Sequence, residues 1–393
     1  MPALGKPEAP IFPAARASVG RIEWIDELRT FTIVLVVNMH ACVTYSHVGS
    51  WYVNDGPDPD EVPRFLFILW QAHLQSFFMG ILFLIGGYFA ERSLARKGPR
   101  GFLRERLLRL GVPTLFYMVV LNPLINLVIN PAGYDIPSPA RSYVRYLAGL
   151  RFLGGSGPMW FAAALLIFSA ALVLARTLRP PQNAGDVPPP RAPAIALCAL
   201  ALAATTFLVR TVQPLGTSLF NMQLCYFPQY IVAFVVGAAA ARGNWLQPLA
   251  RSGAASRAGW AGIVGGPVVL AAILVAASLL AGHGLERLVG GWNLQALALA
   301  SWEQVTGTCL ALGALAFCSA YLDRPTRVAT WLSDRSFGVY LFHPVVLVLF
   351  TVALRPVGVD PFMKVSLLTA LGLVGSFLIA DLARRLPGVR AFL

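Results

Sequence analysis

Arg29 and His40 stand ten mostly apolar residues apart in LRTFTIVLVVNMH. A neutral imidazole can take a proton from a hydroxyl and return it, which is the work of a general base. A guanidinium keeps its charge and offers a planar fork of donors to a carbonyl or a phosphate. On an α-helix the eleven-residue step from one to the other is about three turns and roughly 16 Å, so both side chains share one face. The apolar run around them is long enough to span a bilayer, which places Arg29 at a membrane edge and His40 near mid-membrane. Ionisable groups at such depth are functional suspects. Two structural readings stay open beside this one: a packing histidine bonded to a neighbouring span, and an arginine that snorkels to the headgroups. Asp26, three residues before Arg29, is close enough on a helix to orient it.

Further candidates lie elsewhere. Arg106 and Arg109 are one turn apart in RERLLRLGVP, with Arg104 close by. Two guanidiniums on one helical face match phosphate or pyrophosphate oxygens, although a cytoplasmic charge anchor explains them equally well. His47, two turns beyond His40, could line the entrance for a second reactant. His73 falls between Gln71 and Gln75, Trp160 opens a later apolar run, Glu303 lies near one end of another, and His343 precedes Pro344 in SFGVYLFHPVV. An interhelical hydrogen bond explains each of these polar residues as well as catalysis does. The histidines lack the compact spacing of a zinc motif, so no metal is assigned. The chain also lacks a phosphate loop, a dinucleotide fingerprint and a Gly-x-Ser-x-Gly elbow.

The elements that must position these residues follow from composition. Of 393 residues 57% are hydrophobic and only 12% charged, with a mean hydropathy of +0.65, which describes an all-α polytopic integral membrane protein. Apolar stretches of spanning length recur at 30–50, 65–90, 111–130, 159–178, 192–209, 224–241, 259–281, 302–321, 337–354 and 363–383. They predict a single bundle of about ten transmembrane helices over residues 25–393, after an N-terminal segment 1–24 with no removable signal peptide. A Pro-rich stretch at 179–193 reads as a cytoplasmic linker between the fourth and fifth spans. The net charge of +13 invites a nucleic-acid reading. Its distribution argues otherwise: with the N-terminus inside, 23 Lys and Arg face 10 Asp and Glu on the cytoplasmic side, against 8 and 8 outside. That is the positive-inside pattern, and it predicts both termini in the cytoplasm. The first outer loop, HVGSWYVNDGPDPDEVP, is acidic and carries Trp51 and Tyr52 as interfacial aromatics. SYVRYLAGLRFL has the spacing of a short interfacial helix, LIGGYF that of a close helix crossing through Gly86 and Gly87, and the five cysteines that of packed, reduced thiols.

Taken together, IDELRTFTIVLVVNMH, FFMGILFLIGGYFAERSLARKGPRGFLRERLLRLGVP, GPMWFAAALLIF and SFGVYLFHPVV resemble the membrane-bound acyltransferase-3 family over nearly the whole chain. The resemblance implies transfer of an acyl group from cytoplasmic acyl-CoA to a sugar or other acceptor outside. It makes His40 the catalytic histidine, Arg29 its paired arginine, and Arg106 with Arg109 the donor-side arginine pair. HACVTYSHVGSWYVND is similar to the branch that decorates periplasmic glucans with succinyl groups. The expected setting is the bacterial inner membrane, with acetyl-CoA or succinyl-CoA as co-substrate, no permanently bound cofactor, and a glycan or related envelope acceptor. Oligomeric state is not specified. The competing expectation is a transporter or flippase that uses His40, His73, Glu303 and His343 for protons or solute. A non-catalytic assembly partner is a third, and it leaves the Arg29 and His40 pair without a purpose. The arginine pair beside a first-span histidine and the lack of inverted repeats favour the enzyme.

Overall fold

In hydrocarbon every backbone N–H and C=O must be bonded within its own segment, so long runs of Leu, Ala, Val and Phe become helices. The computed structural model describes residues 22–130, 139–179, 189–280, 284–324 and 326–393. Its helices are α1 (Glu23–Ser46), α2 (Glu61–Arg106), α3 (Val112–Phe116), α4 (Asn122–Ile129), α5 (Pro139–Ala148), α6 (Trp160–Leu178) and α7 (Ala192–Arg210). There follow α8 (Phe227–Gly243), α9 (Leu246–Ala250), α10 (Gly253–Leu280), α11 (Leu294–Tyr321), α12 (Arg327–Leu354) and α13 (Pro361–Arg385). Among the described residues the only bridge of β type is an isolated one between Leu219 and Met222. Residues 1–21, 131–138 and 180–188, where parts of the expected N-terminal segment, outer loop and Pro-rich linker fall, lie outside the described residues.

Nine helical stretches among the described residues are long and apolar enough to cross a membrane, which makes this a multi-pass membrane protein. The count is one below the ten expected because the second and third spans are not separated by coil. Glu61–Ile129 runs without intervening coil, two helices meeting at a kink at Gly98 and π-helical turns at Leu107–Gly111 and Tyr117–Leu121 joining α2, α3 and α4. The stretch is nevertheless bent. At Gly98 the backbone has φ 68° and ψ 172°, a conformation glycine adopts without a Cβ penalty, and Pro99 follows. Ser93 Oγ donates to Glu105 at 3.2 Å and Lys97 Nζ pairs with the same carboxylate at 2.5 Å. On a straight helix Ser93 and Glu105 would be about 18 Å apart, so the chain folds back here and carries an expected span on each side of the bend.

The two ends of the bundle are defined by cross-helix contacts. Arg29 on α1 donates to Ser333 on α12, and Arg335 on α12 pairs with Asp381 on α13 at 2.5 Å. Thus α1 begins and α13 ends at the same end. Trp24, Ile25 and Leu28 pack there against Ile85 and Tyr88 of α2 and Trp245 beyond α8. Glu91 ties that end of α2 to Arg176 of α6 (3.0 Å) and Arg242 of α8 (3.7 Å). At the opposite end the start of α2 packs with α10 and α11 around Trp302.

The expected glycine crossing is present and reciprocal. A Cβ at Gly87 would collide with the carbonyl of Phe234 on α8, and one at Gly237 on α8 with the carbonyl of Leu84 on α2, while Gly86 faces Leu165 of α6. The expected helix in SYVRYLAGLRFL is α5, held by more than lipid. Its Tyr143 and Tyr146 hydroxyls donate to the carbonyls of Val119 (3.1 Å) and Met118 (2.7 Å), inside the second π-helical turn. A π-turn disturbs the regular i→i−4 ladder, and these phenols supply bonds to carbonyls within it. All five cysteines are free; Cys42, Cys225 and Cys318 are buried, and Cys198 and Cys309 half-buried.

Candidate active site

The shared face of Arg29 and His40 is real, and α12 is what it meets. Arg29 donates from Nε to Ser336 Oγ (3.2 Å) and from Nη2 to the Ser333 carbonyl (3.1 Å) and hydroxyl (3.2 Å). Further along the same helices, the His40 ring lies nearly parallel to that of His343, with centroids 5.4 Å apart and an interplanar angle of 16°. A third ring completes the group. Trp51, from the loop after α1, stacks on His40 at 3.8 Å and 17°, and lies 6.2 Å from His343. Trp51 is therefore a half-buried part of this site and not the interfacial anchor expected from its acidic loop.

The hydrogen bonds around the rings set their roles. His343 is fully buried, and its Nδ1 donates to the carbonyls of Tyr340 (2.8 Å) and Val339 (3.3 Å). That leaves Nε2 as the lone-pair nitrogen of a neutral ring, and it has no bonded partner among the described residues. His40 Nδ1 and Trp51 Nε1 are likewise buried and unpartnered. His40 as a whole is half-buried, so part of its ring remains reachable. Other buried polar atoms, such as Trp24 Nε1 and His73 Nε2, also lack partners among the described residues, but these three are set apart by lying on adjoining rings. The Tyr340 hydroxyl donates to the carbonyl of Pro158, which fixes the turn of α12 beneath His343 against the start of α6.

The loop that carries Trp51 is fastened at several points. Asp55 pairs with Arg355 (3.2 Å) and Lys364 (3.6 Å), and its backbone N–H donates to the Thr44 carbonyl (2.9 Å). Tyr52 donates to Asn122 Oδ1 (2.9 Å) and bonds the Tyr117 hydroxyl (2.7 Å). Burial pushes the Tyr52 phenol up to about 12, against the opposing effect of Tyr117, so it is a neutral donor near pH 7. His47 caps α1 at φ 56° and its Nδ1 meets Asp58 at 2.6 Å, holding the loop near where a second reactant would enter.

Along α1, His40 is seventeen residues from Glu23 and six from Ser46, about 26 Å and about 9 Å, so it lies toward the loop end of the helix. Arg29 is about three turns away. Its neighbours are Asp26, at 3.3 Å as expected, and the α12 serines, so it clamps two helices and does not touch the imidazole.

The remaining candidates disperse. Arg104 and Arg109 are exposed and Arg106 half-buried, all at the Arg29 end beside the Gly98 bend. Arg106 lies over the Phe102 ring (5.2 Å), and Arg109, within the π-helical turn that starts at Leu107, pairs with Glu105 at 3.5 Å. His73 donates to its own helix at Leu69 (3.1 Å) and meets Trp302 edge-on at 5.2 Å, away from His40. Glu303 forms a buried ion pair with Arg210 at 2.7 Å, accepts from Gln304 at 3.0 Å, and the guanidinium lies over Tyr226 (5.4 Å). Its partner Arg210 is fully buried in the last turn of α7. Trp160 stacks on Tyr230 at 5.8 Å in an aromatic group that reaches His343 through Phe161 and Tyr340. Ser333 and Ser336 were not singled out in the sequence, and Trp51 and Asp55 were noted only as parts of an acidic outer loop with interfacial aromatics; the one available signal was the pairing of a Trp with a nearby histidine in that loop.

Comparison with known proteins fits this arrangement. Glucans biosynthesis protein C from Salmonella gallinarum (strain 287/91) is 24% identical over 228 residues, covering 55% of this chain and 57% of the relative. The proteins of that name from Salmonella typhi and Salmonella typhimurium are 24% identical over 230 residues, with the same coverage. The chain thus spans a little over half the length of the curated relatives it matches. No solved structure matches it. Residues 22–381 match the family described as Acyltransferase domain. That match begins at the residue capping α1 and ends in the last turns of α13, so it takes in the whole bundle, and the chain belongs to the acyltransferase-3 family.

Proposed function

We propose that the chain is an integral membrane O-acyltransferase that uses His40 as general base, taking its acyl group from acyl-CoA at the arginine-rich end and its acceptor hydroxyl from the Trp51 end. The observation that carries this reading is the His40 imidazole, half-buried and unbonded among the described residues, beside two other ring nitrogens likewise without partners there. The acceptor O–H gives its proton to His40 as the oxygen attacks the thioester carbonyl. The tetrahedral adduct then expels the CoA sulfur, which takes the proton back, leaving an ester, free CoA thiol and neutral His40. Arg104, Arg106 and Arg109 suit the phosphates of CoA, and Arg29 holds α1 and α12 in register at that end. The positive-inside rule supports a cytoplasmic arginine-rich end and hence an extracytoplasmic acceptor, and the setting we propose is a bacterial inner membrane. The names of the relatives favour a glucan or similar glycan as acceptor, with acetyl or succinyl as the group moved.

A transporter would need its polar residues in one pathway. Here His73 bonds within its own helix, and Glu303 is neutralised by Arg210. The test is acyl transfer in detergent, where no sealed compartment exists. His40→Ala is expected to lose at least about 100-fold of the rate, and transfer at the native rate by that variant overturns the assignment.

A further inference from the structure

Removing a proton from a hydroxyl leaves His40 as an imidazolium, and a charge inside a helix bundle needs compensation. Histidine bases are commonly steadied by a carboxylate on the far ring nitrogen. Here neither ring nitrogen of His40 is bonded to an acid among the described residues. Asp55, on the overlying loop, is engaged by Arg355 and Lys364. Asp58 is engaged by His47. Asp26 is at the other end of α1, beside Arg29. His343 offers no carboxylate, and its Nδ1 is already committed to backbone carbonyls.

What does face His40 is the π-surface of Trp51, nearly parallel at 3.8 Å. A cation within about 6 Å of an indole face is attracted by the ring quadrupole, and more strongly when water is excluded. The indole is also held from both sides in sequence: Tyr52 meets it edge-on at 5.1 Å and is anchored to Asn122, and Asp55 is tied to α1 and α13. We infer that Trp51 is a positioning residue for acyl transfer, stabilising the protonated form of His40 through its ring face in place of a carboxylate. The inference rests on the assignment of His40 as base.

The experiment uses purified full-length protein in detergent with acetyl-CoA and succinyl-CoA in parallel, a β-glucan oligosaccharide as acceptor, and CoA thiol release as readout. Trp51→Leu, which removes the ring, is expected to lower kcat about tenfold with the KM for acyl-CoA unchanged within about twofold. Trp51→Phe, which keeps a weaker face, is expected to retain kcat within about threefold. Trp51→Met gives the same reading as the Leu variant if that one does not fold. Equal losses in Phe and Leu, a change confined to KM, or native kcat in Trp51→Leu overturns the inference while leaving His40 as base. Activity in His40→Gln, or no thiol release by the native protein, overturns the reading of the site and the inference with it.

Discussion

At the scale of residues, His40 is defined by what it lacks, since neither imidazole nitrogen is bonded among the described residues while the neighbouring His343 is locked by two carbonyls. The proposed base must be free to receive a proton, and this ring is. Arg29 shows the opposite case. Its fork spans Ser333 and Ser336, a geometry that a single ammonium does not reproduce. Arg29→Lys is expected to lower acyl transfer by roughly tenfold, the effect of losing about one charge-assisted hydrogen bond, and native activity in that variant would show the clamp to be dispensable. Replacing Arg106 and Arg109 together by Ala is expected to raise the KM for acyl-CoA and leave acceptor dependence alone. An unchanged donor KM removes them from the donor site. Arg29, His40 and the common face were legible in the sequence because eleven residues bring a helix back to nearly the same azimuth. Trp51 and the two serines were not. The serines lie some three hundred residues from Arg29, and nothing local to either segment encodes that pairing.

At the scale of elements, the reciprocal crossing of α2 and α8 at Gly87 and Gly237 lets two backbones touch, and neither position has room for a methyl. Gly237→Val is expected to destabilise the protein by about 2 kcal/mol or more, seen as a lower unfolding temperature in detergent. Gly265→Ala on α10, where a Cβ meets nothing within 4 Å, serves as control and is expected to leave that temperature unchanged. The existence and extent of the spans were readable from apolar length alone, because a bilayer imposes that length on any helix crossing it. The coil-free kink at Gly98 and the two π-turns were not readable. They depend on cross-chain bonds such as Ser93 to Glu105 and Tyr146 to Met118, which a count of apolar residues does not contain.

At the scale of the whole molecule, charge and geometry agree on two unlike ends. One gathers Arg29, Glu91 with its two arginines, and the arginines after the Gly98 bend. The other carries the acidic loop of Asp55 and Asp58. Single cysteines placed at the exposed positions 58 and 104 are expected to react with an impermeant maleimide from opposite sides of the membrane. Labelling of both from one side refutes the proposed orientation. The unequal placement of His40 along α1 would, on the proposed reaction, set different demands on its two substrates. The hydroxyl acceptor would have to leave water over the length of only six residues, so the rest of it could stay in solution. The acyl donor would have seventeen residues of helix to ascend, a path suited to a slender tether with its reactive carbon at the tip.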